Sequence, residues 1–352
     1  MSTINVKQSS AASRQSRWQR LRNHENATML LVLLIMICVV VIIEFFFARD
    51  MVLADVAFWS GSNISSVLQQ VSITGILAIG MTLVMLMGGI DLSIGQMMGF
   101  IGVSMAALIK AGDMPIWSIV VLGIVVGIGC QMLMGLLISR TKLEPFIVSL
   151  GFMSIYQGLI YLITNGREIT FGMKFGFIGN TAFRLGGDFR LFLSVIIFLS
   201  LVVLVWLTIK YSKFGRRLYA VGGNENAAYL SGINVKNFKL LVYGINGFFA
   251  AIAAMVLISR LATGGPNNGQ GKEIDVIAAV VVGGTALSGG KGNIWGTVIG
   301  VLLMGIISNA LNILGVNPYW QYIMKGALIV VSVLIGYYSG LTTKRAKKAL
   351  KS

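Results

Sequence analysis

From residue 27 onward, long apolar runs alternate with short polar breaks. The first run, 27–47, already suffices to cross a bilayer, because about 20 apolar helical residues span roughly 30 Å of hydrocarbon. Further runs lie at about 67–88, 94–110, 115–138, 146–164, 191–209, 240–259, 274–287, 294–314 and 320–340. The pattern predicts an all-α fold, a polytopic transmembrane helical bundle of about ten membrane segments. The run 274–287 is too short to span unaided and is expected to be tilted, broken or buried between neighbours. Three stretches follow: a basic leader at 1–26, a transmembrane domain at 27–340, and a basic tail at 341–352.

Composition agrees with lipid as solvent, since 56% of the 352 residues are apolar and 11% charged, against about 25% in soluble domains. The net charge of +16 raises the question of nucleic acid, but the charges fall between the spans, so no nucleic-acid partner is expected. Nineteen basic residues fall in segments that alternate to one side and eight in those that alternate to the other, with Lys325 inside the last run. By the positive-inside rule both termini are expected in the cytoplasm. No small-residue cleavage site follows the first apolar run, so the leader is expected to remain attached.

Enzymatic chemistry finds little to work with. Cys38 and Cys130 sit in apolar runs as small hydrophobes, and the single histidine, His24, lies in the leader, so neither a histidine metal cluster nor a triad can be assembled. No G-x-x-x-x-G-K-[ST] phosphate loop is present, so no cofactor is expected on this chain and energy must come from a partner. The 43 glycines, as in Gly296-x3-Gly300, are first of all helix-packing positions. The stretch Gly88-Gly89-Ile90-Asp91-Leu92-Ser93-Ile94-Gly95 matches Gly283-Gly284-Thr285-Ala286-Leu287-Ser288-Gly289-Gly290 as G-G-x-x-L-S-x-G. An internal duplication or shared turn chemistry would each produce it.

The polar interruption 210–239 carries a helix signal of its own. Asn224 is a good N-cap, Glu225 puts negative charge in the first turn, and Gly232 can end the helix after Ala227, Ala228, Tyr229 and Leu230. The paired alanines leave little bulk, which suits docking into a groove on another protein. An ordinary capped loop helix explains the same residues equally well.

The stretch Ala220-Val-Gly-Gly-Asn-Glu-Asn-Ala-Ala-Tyr-Leu-Ser-Gly-Ile-Asn-Val235 resembles the coupling segment of sugar-importing ABC permeases, the family of the ribose, galactoside and xylose permeases with a branched-chain-permease-like membrane subunit. Gly80-Met-Thr-Leu-Val84, Gly89-Ile-Asp-Leu-Ser-Ile-Gly95, Pro145-Phe-Ile-Val-Ser-Leu-Gly151, Asp275-Val-Ile-Ala-Ala-Val-Val-Val-Gly-Gly284, Gly289-Gly-Lys-Gly292 and Leu314-Gly-Val-Asn-Pro-Tyr-Trp-Gln321 follow in the family's order, over about 60–340. The resemblance implies that Asn224, Glu225, Ala227, Ala228, Tyr229, Ser231, Gly232 and Ile233, within the segment 220–236, enter a cleft of a separate ATPase subunit. It also implies a homodimer in the bacterial inner membrane, ATP bound and hydrolysed by the partner, an external sugar-binding protein, and alternating access.

Other positions are read from their chemistry. Asp91, among the junction residues Gly89, Leu92, Ser93 and Gly95, is expected to cap the helix that follows. Pro145 after Glu144 suits a first helical turn, while Lys325 and Glu44 are expected to snorkel to the outer interface. Intramembrane amides can line a sugar's path or join helices. Gln69, Gln157, Asn246 and Asn309 are the path candidates, with Gln131 and Asn312 beside them. The competing class is an ion-coupled secondary transporter, disfavoured because every acid falls at or near a span end.

Overall fold

The computed structural model describes Phe58 and residues 60–330 except 142, 314, 318, 324, 328 and 329, all within one compact unit, 52–352. The leader, the first span with Glu44, the tail and the end of the last span lie outside the described residues. Seven described helices are long and apolar enough to cross a membrane. They are α1 (Gly61–Leu86), α2 (Ile94–Ala111), α3 (Ile116–Arg140), α4 (Pro145–Thr164), α6 (Leu193–Tyr211), α9 (Val235–Leu261) and α11 (Ile294–Ile313). Shorter helices are α5 (Phe177–Asn180), α7 (Lys213–Gly223), α8 (Glu225–Leu230) and α10 (Lys272–Val282), and helical turns resume within 319–330.

Two small sheets depart from the all-helical expectation. Strand β1 (Ile169–Thr170) pairs antiparallel with β4 (Thr263–Gly264), and β2 (Ala182–Gly186) forms a hairpin with β3 (Phe189–Phe192). Both lie beyond the helix ends remote from α7 and α8, where polar backbone between spans must pair with itself.

Close backbone packing holds the bundle. On α3 and α9, Gly127 and Gly247 face each other so closely that a side chain on either would meet the other's carbonyl. Lipid supplies no hydrophobic drive for helix association, so dispersion at such seams does the work. The expected short segment is α10, whose 11 residues rise about 16 Å, roughly half a span. The chain reaches α10 by running back along α2: Gly264 lies against Val103 and Ala106, and Gly269 against Gly95. Non-helical backbone at this depth is tolerated because protein encloses it.

The glycine similarity has a structural basis, but in a register shifted by one residue. Gly88 and Gly284 are the left-handed residues, at φ +89° and +84°. Gly88 N donates to Met85 O and Gly89 N to Val84 O, as Gly284 N does to Val281 O and Thr285 N to Val280 O. Two helices thus end in the same glycine cap.

Candidate functional site

The segment between α6 and α9 forms the helix expected for it. Asn224 Oδ1 accepts from Ala227 N at 2.9 Å, starting α8. Gly232, at φ +82°, ends it, with Gly232 N donating to Tyr229 O and Ile233 N to Ala228 O. Ser231 Oγ donates to Ala227 O at 2.9 Å, and Glu225 pairs with Lys239 near the start of α9 at 2.6 Å. Asn234, not singled out from the sequence, caps α9 by accepting from Asn237 N at 3.1 Å.

One expectation needs correction. Ala228 does not face outward to a partner: it is 3% exposed and packed inside this chain, whereas Tyr229 is 70% and Leu230 84% exposed. The surface α8 offers is therefore a tyrosine and a leucine beside the exposed Ala227. Two turns cannot bury both alanines and both large residues at once, and the smaller Ala228 fits the tighter side.

Amphipathic α7 connects α8 to the bundle. Ser212 caps it, accepting from Phe214 N at 3.1 Å, and Gly215, Leu218 and Val221 turn inward while Arg216 and Arg217 face out. At its end, Gly222 lies so close to Leu86 O, the last carbonyl of α1, that any side chain there would collide with it. Gly290 N donates to the same carbonyl at 2.9 Å, and Tyr219 Oη donates to Gly292 O at 2.8 Å. Burial pushes the Tyr219 hydroxyl's pKa up, which keeps it a donor. One cluster thus joins α7, the end of α1 and the turn between α10 and α11.

Beneath this cluster lies Asp91, fully buried. It is not a helix cap open to water. Oδ1 accepts from Ser93 N at 2.8 Å and Ser93 Oγ at 2.6 Å, a local turn, while Oδ2 accepts from Gln131 Nε2 and Asn246 Nδ2, both at 2.7 Å. Among the described residues no cation pairs with it. Leu92 N donates to Ser149 Oγ at 3.1 Å, and side chains at Gly89 or Gly95 would meet Tyr243 Oη or Gly269 O. The junction therefore ties α2, α3, α4 and α9 together.

Most of the expected path amides are joints. Gln69 Nε2 donates to Gly179 O at 2.7 Å, Asn246 and Gln131 hold Asp91, and Asn309 exchanges two 2.9 Å bonds with Asn63. Gln157 is half-buried on α4, with its amide nitrogen unpartnered among the described residues. Of those six amides only Asn312 lines the polar cavity of about 200 Å³ that opens between α1, α10, α11 and the last helical turns. With it stand Gln70, Thr74, Gln270, Ser308 and Gln321. Lys325 lines this cavity too. It does not snorkel to the outer interface: its Nζ lies 2.7 Å from Asp275 Oδ1. Acids at depth thus accompany Asp91, and charge placement does not separate an ion-driven carrier from an ATP-driven one. Kinship decides.

Residues 63–333 match the family model described as branched-chain amino acid transport system / permease component. The ribose import permease of Bacillus subtilis (strain 168) is 41% identical over 280 residues, covering 79% of this chain and 86% of that protein. The ribose import permease of Escherichia coli (strain K12) is 38% identical over 283 residues, with the same two shares. The xylose transport system permease of Escherichia coli (strain K12) is 34% identical over 337 residues, covering 79% of this chain and 86% of its own length. No solved structure matches. The span that matches runs from the first turn of α1 through α11, and the chain belongs to the ABC importer permease family that includes the ribose, allose, fructose and xylose import permeases.

Proposed function

We propose that this chain is the transmembrane subunit of an ATP-driven importer for a simple sugar, a pentose or hexose. It works as a homodimer with two ATPase subunits inside and a sugar-binding protein outside. The observation that carries this reading is the pinned helix α8, held by Asn224, Gly232 and the Glu225–Lys239 pair, which presents Tyr229 and Leu230 outward. Two adjacent large apolar side chains exposed on a rigid helix suit a partner's groove.

A push on α8 has a short way to travel. It passes through α7 to Gly222, and from there to the Leu86 carbonyl and the Gly289-Gly290 turn. Those contacts join the ends of α1 and α10 and the start of α11, the helices that wall the polar cavity. Displacing α7 would therefore shift three cavity walls at the end nearest the ATPase, the behaviour alternating access requires. The homodimer comes from the family resemblance: two copies would supply two coupling segments, one for each ATPase subunit. The charge asymmetry of 19 basic residues to 8 supports cytoplasmic termini and the same face for α7 and α8.

Leu230→Asp tests the reading, since it places a charge on the outward face without touching the chain's own packing. The mutant is expected to reach the membrane at the wild-type level, lose co-purifying ATPase and lose ATP-dependent uptake in vesicles. Retention of both at wild-type level would sink the coupling assignment. Uptake driven by a proton or sodium gradient without ATP would replace it with the secondary carrier. A periplasmic phosphatase active when fused after Ser352 would overturn the orientation.

A further inference from the structure

The cavity at the start of α10 holds charge at membrane depth, where charge is costly and seldom idle. At about 1.5 Å per residue, Thr74 lies about 20 Å along α1 from Gly61, and Ser308 about 21 Å along α11 from Ile294. The cavity therefore sits beside the middle of α1 and extends to Asn312 in the last turn of α11. Into it project Lys272, Asp275 and Lys325.

Their geometry leaves capacity unused. Asp275 Oδ1 is held by Lys325 at 2.7 Å, but Oδ2 is 3.9 Å from Lys272, beyond hydrogen-bond reach. A carboxylate offers about four acceptor sites. Among the described residues Oδ2 accepts no hydrogen bond, and Lys272 has no closer partner. A structural ion pair alone accounts for Lys325 and Asp275. It does not account for a second lysine held just out of reach, nor for a wall of amides and hydroxyls around the pair.

A solute that fills this space must offer hydroxyls to a carboxylate and acceptors to an ammonium within a few ångströms. Vicinal hydroxyls do both, since each donates one bond and accepts others. The excess of one positive charge disfavours cations. At about 30 Å³ per water, 200 Å³ takes about six or seven waters, the scale of one monosaccharide. Val71, Val301, Met304 and Tyr322 supply an apolar side for the carbon-bound hydrogens of a sugar ring.

We propose that this cavity is a stopping point for a monosaccharide in transit, where vicinal hydroxyls bridge Asp275 Oδ2 and Lys272 Nζ and the amides of Gln70 and Gln270 take further hydroxyls. Lys325 is the positioning residue that aims the carboxylate. The inference rests on the sugar-import reading, and it adds a site within this subunit that discriminates among sugars after the binding protein has released them.

The test uses the full transporter in proteoliposomes with one binding protein throughout, so that changes in sugar preference belong to the permease. Radiolabelled D-ribose, D-xylose, D-allose and D-fructose are supplied. Asp275→Asn is expected to slow uptake about tenfold, the loss of one charged hydrogen bond, and to change the ratio of rates among the sugars. ATPase co-purification stays at the wild-type level. Gln70→Leu is expected to change the ratio with a smaller loss of rate. A purely structural ion pair would lower membrane abundance without altering the ratio. If Asp275→Asn fails to assemble, Ser308→Cys, in a chain with Cys38 and Cys130 replaced by serine, reports on the same space. Its reaction with a methanethiosulfonate reagent is expected to slow during turnover with the transported sugar. Unchanged sugar ratios in the assembled variants, or labelling indifferent to sugar, overturns the transit site and leaves the importer standing. Wild-type transporter that moves none of the four sugars overturns both.

Discussion

The most apolar of the seven described spans is among the least buried of them. In α6 the best 18-residue window has a mean hydropathy of 2.5 and is 28% buried, whereas in α1 the values are 1.7 and 83%. A water-soluble protein would order them the other way. Here the outward face of α6 meets lipid and must be apolar throughout, while the interior contacted by α1 can hold polar groups provided each finds a partner. Gln69, Ser72 and Thr82 are all buried in α1 and all bonded, Thr82 to Thr297 across the interface at 2.7 Å. The two helices therefore tolerate opposite kinds of substitution.

Bulk should separate them most. Gly80→Leu would drive a side chain into Asn246 and Phe249, against packing that cannot yield without moving α9. Overpacking typically costs about 1–3 kcal/mol, and here it also displaces an Asp91 ligand, so little folded protein is expected by size-exclusion assay after detergent extraction. Leu204→Phe, on the exposed face of α6, should change the melting temperature hardly at all. A well-folded Gly80→Leu would mean that α1 and α9 are farther apart than described.

Charge should reverse the ranking of the faces. Leu204→Asp puts a carboxylate near the middle of a lipid-facing helix, at an insertion cost of about 2.5–3.5 kcal/mol. Glycosylation-based insertion assays of α6 should register that loss. Ser72→Ala in α1 removes only a hydroxyl bonded to the backbone of its own helix and should insert normally.

Asp91 probes the polar interior itself. Asp91→Leu leaves the donors of Gln131, Asn246 and Ser93 buried without acceptors, at about 1–3 kcal/mol each. Asp91→Asn should be mild, though not because an amide caps a helix as well as a carboxylate does. Gln131 Oε1 and Asn246 Oδ1 are both unpartnered among the described residues, so either amide can turn over and accept from the new NH2 group. If Asp91→Asn abolishes uptake at normal abundance, the negative charge itself is required.

What the sequence disclosed follows from how far apart the determining residues lie. The caps at Asn224 and Gly232 are local chemistry, readable within nine positions, and the spans are readable from apolar length. Depth was hidden. Asp91 stands at a helix junction in the sequence, but its burial depends on α3, α4 and α9 closing over it. Gln69 and Gln70 are neighbours separated by about 100° on one helix, and only the placement of α5 and α10 sends the first to a joint and the second to the cavity. The Lys272–Asp275 pair lay hidden because the helix starts at Lys272, two residues before the apolar run at 274–287, and Lys325 joins it from 50 positions away.

In α8, adjacent positions repeat the contrast between α1 and α6 at the scale of two turns, and one of them should give a very small effect on stability. Ala228 is enclosed by α7 and α9, and Tyr229 projects from them. Ala228→Trp should lower stability by about 1–3 kcal/mol by overpacking, and it disrupts coupling only because the helix no longer seats on its own chain. Tyr229→Ala should change stability by less than about 0.5 kcal/mol, as surface substitutions usually do, yet it removes half of the exposed apolar pair. Thermal unfolding and ATPase co-purification, measured together, therefore dissociate: the tryptophan variant loses both, and the alanine variant loses only the partner. Equal melting temperatures for the two would show that α8 does not rest on α7 and α9. An alanine variant that retains the ATPase would remove Tyr229 from the docking surface and leave Leu230 to carry it.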